Sequence, residues 1–457
     1  MSTIPLHQIP SDSPQFDDKE RALVSVGNEE ARTSGSNRPD FDDKGPTLLN
    51  HENAVRTIAD GGTRAWMSVA GGWLIALCTF GYAQSFGVYE DLYTLSGAST
   101  PSNVAWIGSF QLFMMFAMGL PAGKLFDAGY FRHLEIGGAL IFVFSLFMLS
   151  LADPSKYYQI FLSQGLGVGL GCGMMFLPAL SVQAHHWNKY RAMAMGIVLT
   201  GTSVGGIIFP IMHNQLFHGS AGFGWGVRAS GFLILGLLIT ANILLSTTLP
   251  PKQNVPKPKL SEVFGNVPYV IAASGCLMVL LGLYFPYFFL QLYVDAHGLS
   301  PNLATYTLAI LNAASVFGRT IPNIIADKYG KFNVTIPIGF ATGILVFAML
   351  GIRNTGGVVV FSILYGFTSG AFISLMPPLT AVFIDNVNEI GIYMGMALFL
   401  GSFANLVGTP ISGRLLGTTT FVWYKPVVFS GVVMLTGSTF VLISRSMMTK
   451  KKGTIWI

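Results

Sequence analysis

Residues 300–331 read SPNLATYTLAILNAASVFGRTIPNIIADKYGK. The stretch holds enough apolar residues in a row to cross a bilayer as one helix, for which about 20 are needed. Within it Thr305, Asn312, Ser315, Arg319 and Asn323 are spaced 7, 3, 4 and 4 apart. On a helix those positions share one face. The result is a polar stripe with a single fixed cation, which faces protein or water rather than lipid. An arginine at that depth is costly and marks a functional site by default. The competing reading is that Arg319 snorkels toward Asp327, eight residues on and about 12 Å along the axis at 1.5 Å per residue. The stripe beside it gains nothing from snorkelling, which favours the functional reading.

Working outward, the same kind of apolar run recurs twelve times in the 457 residues, at about 65–89, 102–124, 133–152, 157–183, 191–217, 225–249, 267–294, 302–326, 333–352, 357–384, 390–415 and 424–447. Only 10% of residues are charged and the mean hydropathy is +0.56, where a soluble domain carries about 25% charge. The fold class is therefore an all-α integral membrane protein of twelve transmembrane helices. A Pro/Lys-rich linker between the sixth and seventh spans divides them into two six-helix halves. The domain reading is a disordered cytosolic tail over 1–62, an N-terminal half over 63–250, a cytosolic linker over 251–265, a C-terminal half over 266–448 and a basic cytosolic tail over 449–457. No apolar segment follows the start, so the first span serves as an uncleaved insertion signal.

Charge sets the orientation. Residues 1–60 hold eleven acids against six bases, which leaves −5 there and +10 over the rest. With the N-terminus inside, the inner loops hold nine lysines and arginines, among them Lys124, Arg132, Lys189, Lys328 and Lys331; the outer loops hold Lys156 and Arg353, with Arg228, Arg414 and Lys425 at span edges. The positive-inside rule then puts both termini in the cytosol. The basic body fits anionic lipid and not nucleic acid. The sequon Asn333-Val-Thr335 falls on the cytosolic side and should be unused. Cys78, Cys172 and Cys276 each sit in an apolar run and read as small buried side chains, not as a metal site or disulfide framework.

A repeat supports the two halves. Gly123-Lys-Leu-Phe-Asp127-Ala-Gly129-Tyr-Phe-Arg132 follows the second span, and Asp327-Lys-Tyr-Gly330-Lys331 follows the eighth. Each is a helix end, an Asp, a glycine turn and a cation, a set able to latch neighbouring helix ends. This resembles the loop 2–3 motif of the major facilitator superfamily and its weaker copy in loop 8–9, where Asn323 stands at the first Gly. The start of the first span, Asp60-Gly61-Gly62-Thr-Arg64-Ala-Trp66, together with Trp187-Asn-Lys-Tyr-Arg191-Ala-Met-Ala-Met-Gly196, resembles the monocarboxylate transporter family in its fungal branch. The resemblance covers about residues 60–447.

By that resemblance, Arg319 matches the substrate-pairing arginine of helix 8. The carboxylate carriers have an Asp four residues earlier, here Ser315, and a Lys late in helix 1, here Gln84. Both departures count against proton-coupled transport of lactate-like solutes. Asp60, Glu90, Asp91, Glu135, Asp295 and Asp385 all sit near span ends, so no carboxylate is placed mid-span to relay protons. His185, His186 and His213 read as interfacial or structural. Gly165, Gly167, Gly169, Gly171 and Gly173 lack the strand and Lys-Ser/Thr of a nucleotide loop and read as helix-packing residues. Gly201-Thr-Ser-Val-Gly205-Gly206 resembles the superfamily's antiporter motif, with Thr202 in place of its Pro. Tyr284, Tyr287 and Gln291 share a face in the seventh span, beside Pro286, as a binding wall or an aromatic cluster. Tyr365 and Asn405 read as helix–helix hydrogen-bonding groups.

The function expected is alternating-access transport of a small organic solute, anionic and monocarboxylate-like. Arg319, Ser315, Asn312, Gln84, Tyr284 and Tyr287 bind it, and Gly123, Asp127, Arg132, Asp327 and Lys331 form the latch. The alternatives are an exporter of a larger secondary metabolite or vitamin-like solute, and a non-transporting nutrient sensor of the same fold. No nucleophile–base pair, metal cluster or phosphate loop suggests an enzyme or a cofactor. The partners expected are the solute, the bilayer and, as a further candidate, protons. The transport unit is expected to be a monomer in the plasma membrane, with an internal membrane as the alternative.

Overall fold

Twelve helices, each long and apolar enough to cross a membrane, occupy the described part of the chain. The structure, a computed structural model, describes residues 60–97, 99, 101–247, 260–299, 301–384, 389–417 and 421–456. The helices are α1 (Thr63–Glu90), α2 (Trp106–Asp127), α3 (Phe131–Leu151), α4 (Tyr157–His185), α5 (Arg191–His218), α6 (Gly222–Leu244), α7 (Val267–Val294), α8 (Tyr306–Tyr329), α9 (Lys331–Gly351), α10 (Thr355–Phe383), α11 (Ile390–Leu416) and α12 (Tyr424–Lys452). All lie in one unit, Thr57–Ile457. The tail expected over 1–62 falls almost wholly outside the described residues, as do Asp385 and most of the linker. The linker's end, Leu260–Gly265, is a short helix. Lys450, Lys451 and Lys452, expected as a free tail, form the last turn of α12, where cations suit the negative end of the helix.

The helices bury their contacts in two clusters. One collects residues from Ala65 to Leu245 with Ala381, Ile390 and Met394; the other runs from Val263 to Met448. Tyr284 and Ile384 pack against both. Large apolar side chains such as Leu140, Phe144 and Ile243 point outward, as a lipid-facing surface requires.

Glycine lets the backbones meet. A Cβ on Gly205 would strike Gly81, and one on Gly201 would strike the Trp73 carbonyl, so α1 and α5 cross in close contact. The glycine run of α4 does the same work. Gly169 and Gly173 lie against α2, and Gly167 and Gly171 against α3. Two segments wind as π-helix, Leu77–Gly81 in α1 and Phe161–Val168 in α4. Tyr365 of α10 donates to the Leu283 carbonyl at 2.6 Å, beside Pro286 of α7, and serves as the helix–helix bond expected of it. Asn405 differs. It is buried in α11, and neither amide atom has a partner among the described residues. The three cysteines are free and buried.

Candidate transport site

Arg319 does not snorkel. It is 1% exposed, and its Nη1 donates to the Leu199 carbonyl of α5 at 3.3 Å, so the guanidinium points across to the other half and not to the membrane face. Tyr284 and Tyr287 of α7 lie beside it. Its Nε has no hydrogen-bond partner among the described residues. A buried guanidinium with an unused donor is in position to receive an acceptor from a solute.

The cavity it borders is built by eight helices. Phe80 (α1), Phe116 (α2), Phe176 (α4) and Leu199 (α5) come from one half; Tyr284 (α7), Arg319 (α8), Met376 (α10) and Met394 (α11) come from the other. The remaining helices, α3, α6, α9 and α12, contribute none of its lining. Apart from Arg319, Tyr284 and Thr380, every lining side chain is apolar. This is one cation in a chamber of aromatic, leucine and methionine side chains. The enclosed space is about 50 Å³, well below the ~300–1,000 Å³ of sites that hold drug-sized ligands. As it stands the chamber is too small for a drug-sized solute.

The other expected binding residues are placed less uniformly. Ser315 is fully buried, with its Oγ 2.5 Å from Ser203 Oγ of α5, which ties the halves together. Asn312 is also fully buried, and neither of its amide atoms has a partner among the described residues. Asn323 donates to the Arg319 carbonyl and to Ser374 Oγ of α10, a structural role. Tyr287 Oη sits 3.3 Å from Ser369 Oγ. Of the six residues expected to bind the solute only Arg319 and Tyr284 line the cavity; Ser315, Asn312, Tyr287 and Gln84 do not. The Gln84 amide donates to the Thr202 carbonyl at 2.9 Å and packs on Gly206, where a longer side chain than glycine would collide. The side chain of Thr305 lies outside the described residues.

The residues expected to form the latch meet partners at one end of the bundle, where α2 and α8 end and α5 and α11 begin. Asp127 accepts from Gly391 N at 2.9 Å and Ile392 N at 2.7 Å, the first free amides of α11. Asp327 accepts from Ala192 N at 3.1 Å and Met193 N at 2.8 Å at the start of α5, and pairs with Lys331 at 3.0 Å. A carboxylate on a helix N-terminus satisfies orphan amides and meets the positive end of the dipole. The two contacts are copies of one another, each running from one half to the other. Gly129 and Gly330 take the positive φ of 89° and 95° that the turns behind them need. Gly123 lies so close to the Gly391 carbonyl that a Cβ would overlap it. Arg132 does not pair with Asp127. It donates to the Asn242 and Leu245 carbonyls at the end of α6.

Two motif stretches that are far apart in sequence meet here. Asp60 accepts from Asn188 N at 2.6 Å and Lys189 N at 2.7 Å, and the Trp66 and Trp187 rings pack edge-to-face at 5.2 Å. Gly61 and Gly62 carry φ of 115° and 97°, which turns the chain into α1, while Arg64 stays exposed. The histidines are structural in their contacts: His185 with Thr247, His186 with the Ser246 carbonyl, and His213 with Ser230. Of these His213 is fully buried rather than interfacial. Sequence reasoning missed the chamber wall of Phe80, Phe116, Phe176 and Met376. Apolar residues inside an apolar span carry no signal of which ones face a cavity.

Residues 65–409 match the Major Facilitator Superfamily. The chain belongs to that superfamily and is a multi-pass membrane transporter. It is 40% identical over 380 residues to the aspyridones efflux protein apdF of Emericella nidulans, covering 83% of this chain and 77% of that one. It is 38% identical to an agnestins efflux protein of Paecilomyces divaricatus, over 84% of this chain and 87% of that one. With the Fujikurins efflux protein of Gibberella fujikuroi it shares 36% identity over 86% and 85% of the two chains. Among solved structures it is similar in fold to the transporter FucP in its outward conformation, at TM-score 0.67, 12% identity and coverage of 83% and 98%. The superfamily resemblance therefore holds. The narrower monocarboxylate branch does not follow from these relatives, which are metabolite efflux proteins.

Proposed function

We propose that the protein exports an amphipathic organic anion of the secondary-metabolite kind by alternating access. The observation that carries this reading is the chamber itself: Arg319, buried with a free Nε, set in a wall of Phe, Met and Leu side chains. Such a wall favours a solute with one acidic group and a large apolar body. A short hydrophilic carboxylate would leave most of that wall unfilled, so the small monocarboxylate becomes the second reading. The efflux roles printed for the similar proteins support the same order. Asn312, two turns from Arg319 and about 10.5 Å along the axis at 1.5 Å per residue, offers a second polar contact for a long solute. Arg319, Ser315, Asn312, Tyr284 and Tyr287 are proposed as the solute-binding set, and Gln84 as a packing residue between α1 and α5.

In the proposed cycle, the Asp127 and Asp327 contacts hold one face shut. That face is read as the cytosolic one from its lysines and arginines. Breaking both contacts lets the halves rock and opens the chamber to the cytosol, where the solute loads. The experiment is efflux from reconstituted vesicles of a series of aromatic carboxylates graded in size. The proposal predicts that transport rises with apolar area at fixed charge. Preference for the smallest acid would support the monocarboxylate reading instead.

A further inference from the structure

Glu135 lies in the second turn of α3. A span-end residue by its sequence position, it is 1% exposed, and neither carboxylate oxygen has a hydrogen-bond partner among the described residues. A buried carboxylate in that state is very unfavourable as an anion, and a proton removes the charge. One cation stands near, Arg132, one turn earlier on the same helix face. It makes no ion pair with Glu135. It is occupied instead by the carbonyls of Asn242 and Leu245, the latter at 2.6 Å. Arg132 thus bonds to neutral carbonyls while a carboxyl group lies one turn away on its own helix face.

We propose that Glu135 is a proton-binding site, separate from the solute chamber, whose protonated form holds the Asp127 contact closed. With the proton on, Arg132 clamps the start of α3 to the end of α6, and the α2–α3 turn presents Asp127 to α11. When the carboxyl O–H breaks and the proton leaves to water at that face, the carboxylate draws Arg132 from the α6 carbonyls. The Arg132 hydrogen bonds to the Asn242 and Leu245 carbonyls break, the turn is released, and no other covalent bond changes. At this end of the elements packed around Glu135 the charged and titratable groups are Lys124 and Asp127 on α2, Tyr130, Arg132 and His133 at the start of α3, and His185 and His186 at and just past the end of α4. The last turn of α6 and the described residues after it, 245–247, bring Asn242, Ser246, Thr247 and backbone carbonyls, with no charged side chain among them. His185 and His186 already bond to Thr247 and the Ser246 carbonyl. The inference does not depend on the cargo.

The test uses the purified full chain in lipid nanodiscs. Infrared spectra at neutral pH should show the band of a protonated buried carboxyl that Glu135→Gln removes and Asp127→Asn leaves. Hydrogen exchange of residues 124–134 is then followed from about pH 6 to about pH 9 and corrected for intrinsic rates. Opening of the turn should rise in the wild type by up to about tenfold per pH unit, the limit for one linked proton. It should stay flat in Glu135→Gln, which keeps the shape of the protonated acid, and keep its slope in His185→Gln. The proposal is overturned if the wild type lacks the band, if Glu135→Gln retains it, if the two share one pH slope, or if His185→Gln alone abolishes the slope.

Discussion

At the residue scale, Arg319 carries the argument. An arginine at a helix centre costs about 2.5–3.5 kcal/mol on insertion scales, and here only one carbonyl and two tyrosines offset it. Arg319→Ala is therefore expected to keep or raise thermal stability while abolishing export of an acidic solute. Arg319→Lys keeps the charge but loses the planar fork, and should weaken apparent affinity about tenfold or more. Paired melting curves and vesicle efflux distinguish these outcomes; a large loss of melting temperature in Arg319→Ala would mean that the residue is structural. The stripe that contains Arg319 was legible because a charge inside an apolar run stands out. Glu135 was not, because its distance from the span end says nothing about which neighbours cover it. Asn405 was misread for a related reason. A lone polar group on a helix has a partner only if the facing helix supplies one.

At the scale of elements, the turns after α2 and α8 were readable in sequence as a repeat, down to the glycines that carry positive φ. Their targets were not readable. Asp127 meets residues 264 and 265 positions away, and Asp60 meets residues 128 and 129 away, which no local pattern encodes. The contact makes a specific prediction. Asp127→Ala removes two hydrogen bonds between the halves that the proposed cycle must break and remake, so it should lower the maximal export rate while leaving solute affinity within a few fold. Gly123→Ala should act in the same direction and more strongly, because a Cβ there overlaps the Gly391 carbonyl and pushes α2 from α11. Rate and affinity measured separately in vesicles check both. An unchanged maximal rate in Asp127→Ala would remove the latch from the mechanism.

For the whole molecule, hydropathy and the loop repeat were enough to read twelve spans and two related halves, since lipid demands long apolar helices and leaves few other solutions. The chamber was not legible, because its wall uses the same Phe, Leu and Met that elsewhere face lipid. Orientation gives a further prediction. Both termini should be cytosolic, so protease added to intact cells should leave terminal tags uncut, and cutting without permeabilisation would reverse the assignment. The most direct test of the central claim compares host cells that make their own secondary metabolites and express either the wild type or Arg319→Ala. Mass spectrometry of cells and medium then shows what moves. Acidic metabolites with large apolar bodies should pass to the medium with the wild type and stay inside with Arg319→Ala. Identical partition in the two strains, or a shift confined to short hydrophilic carboxylates, would contradict it.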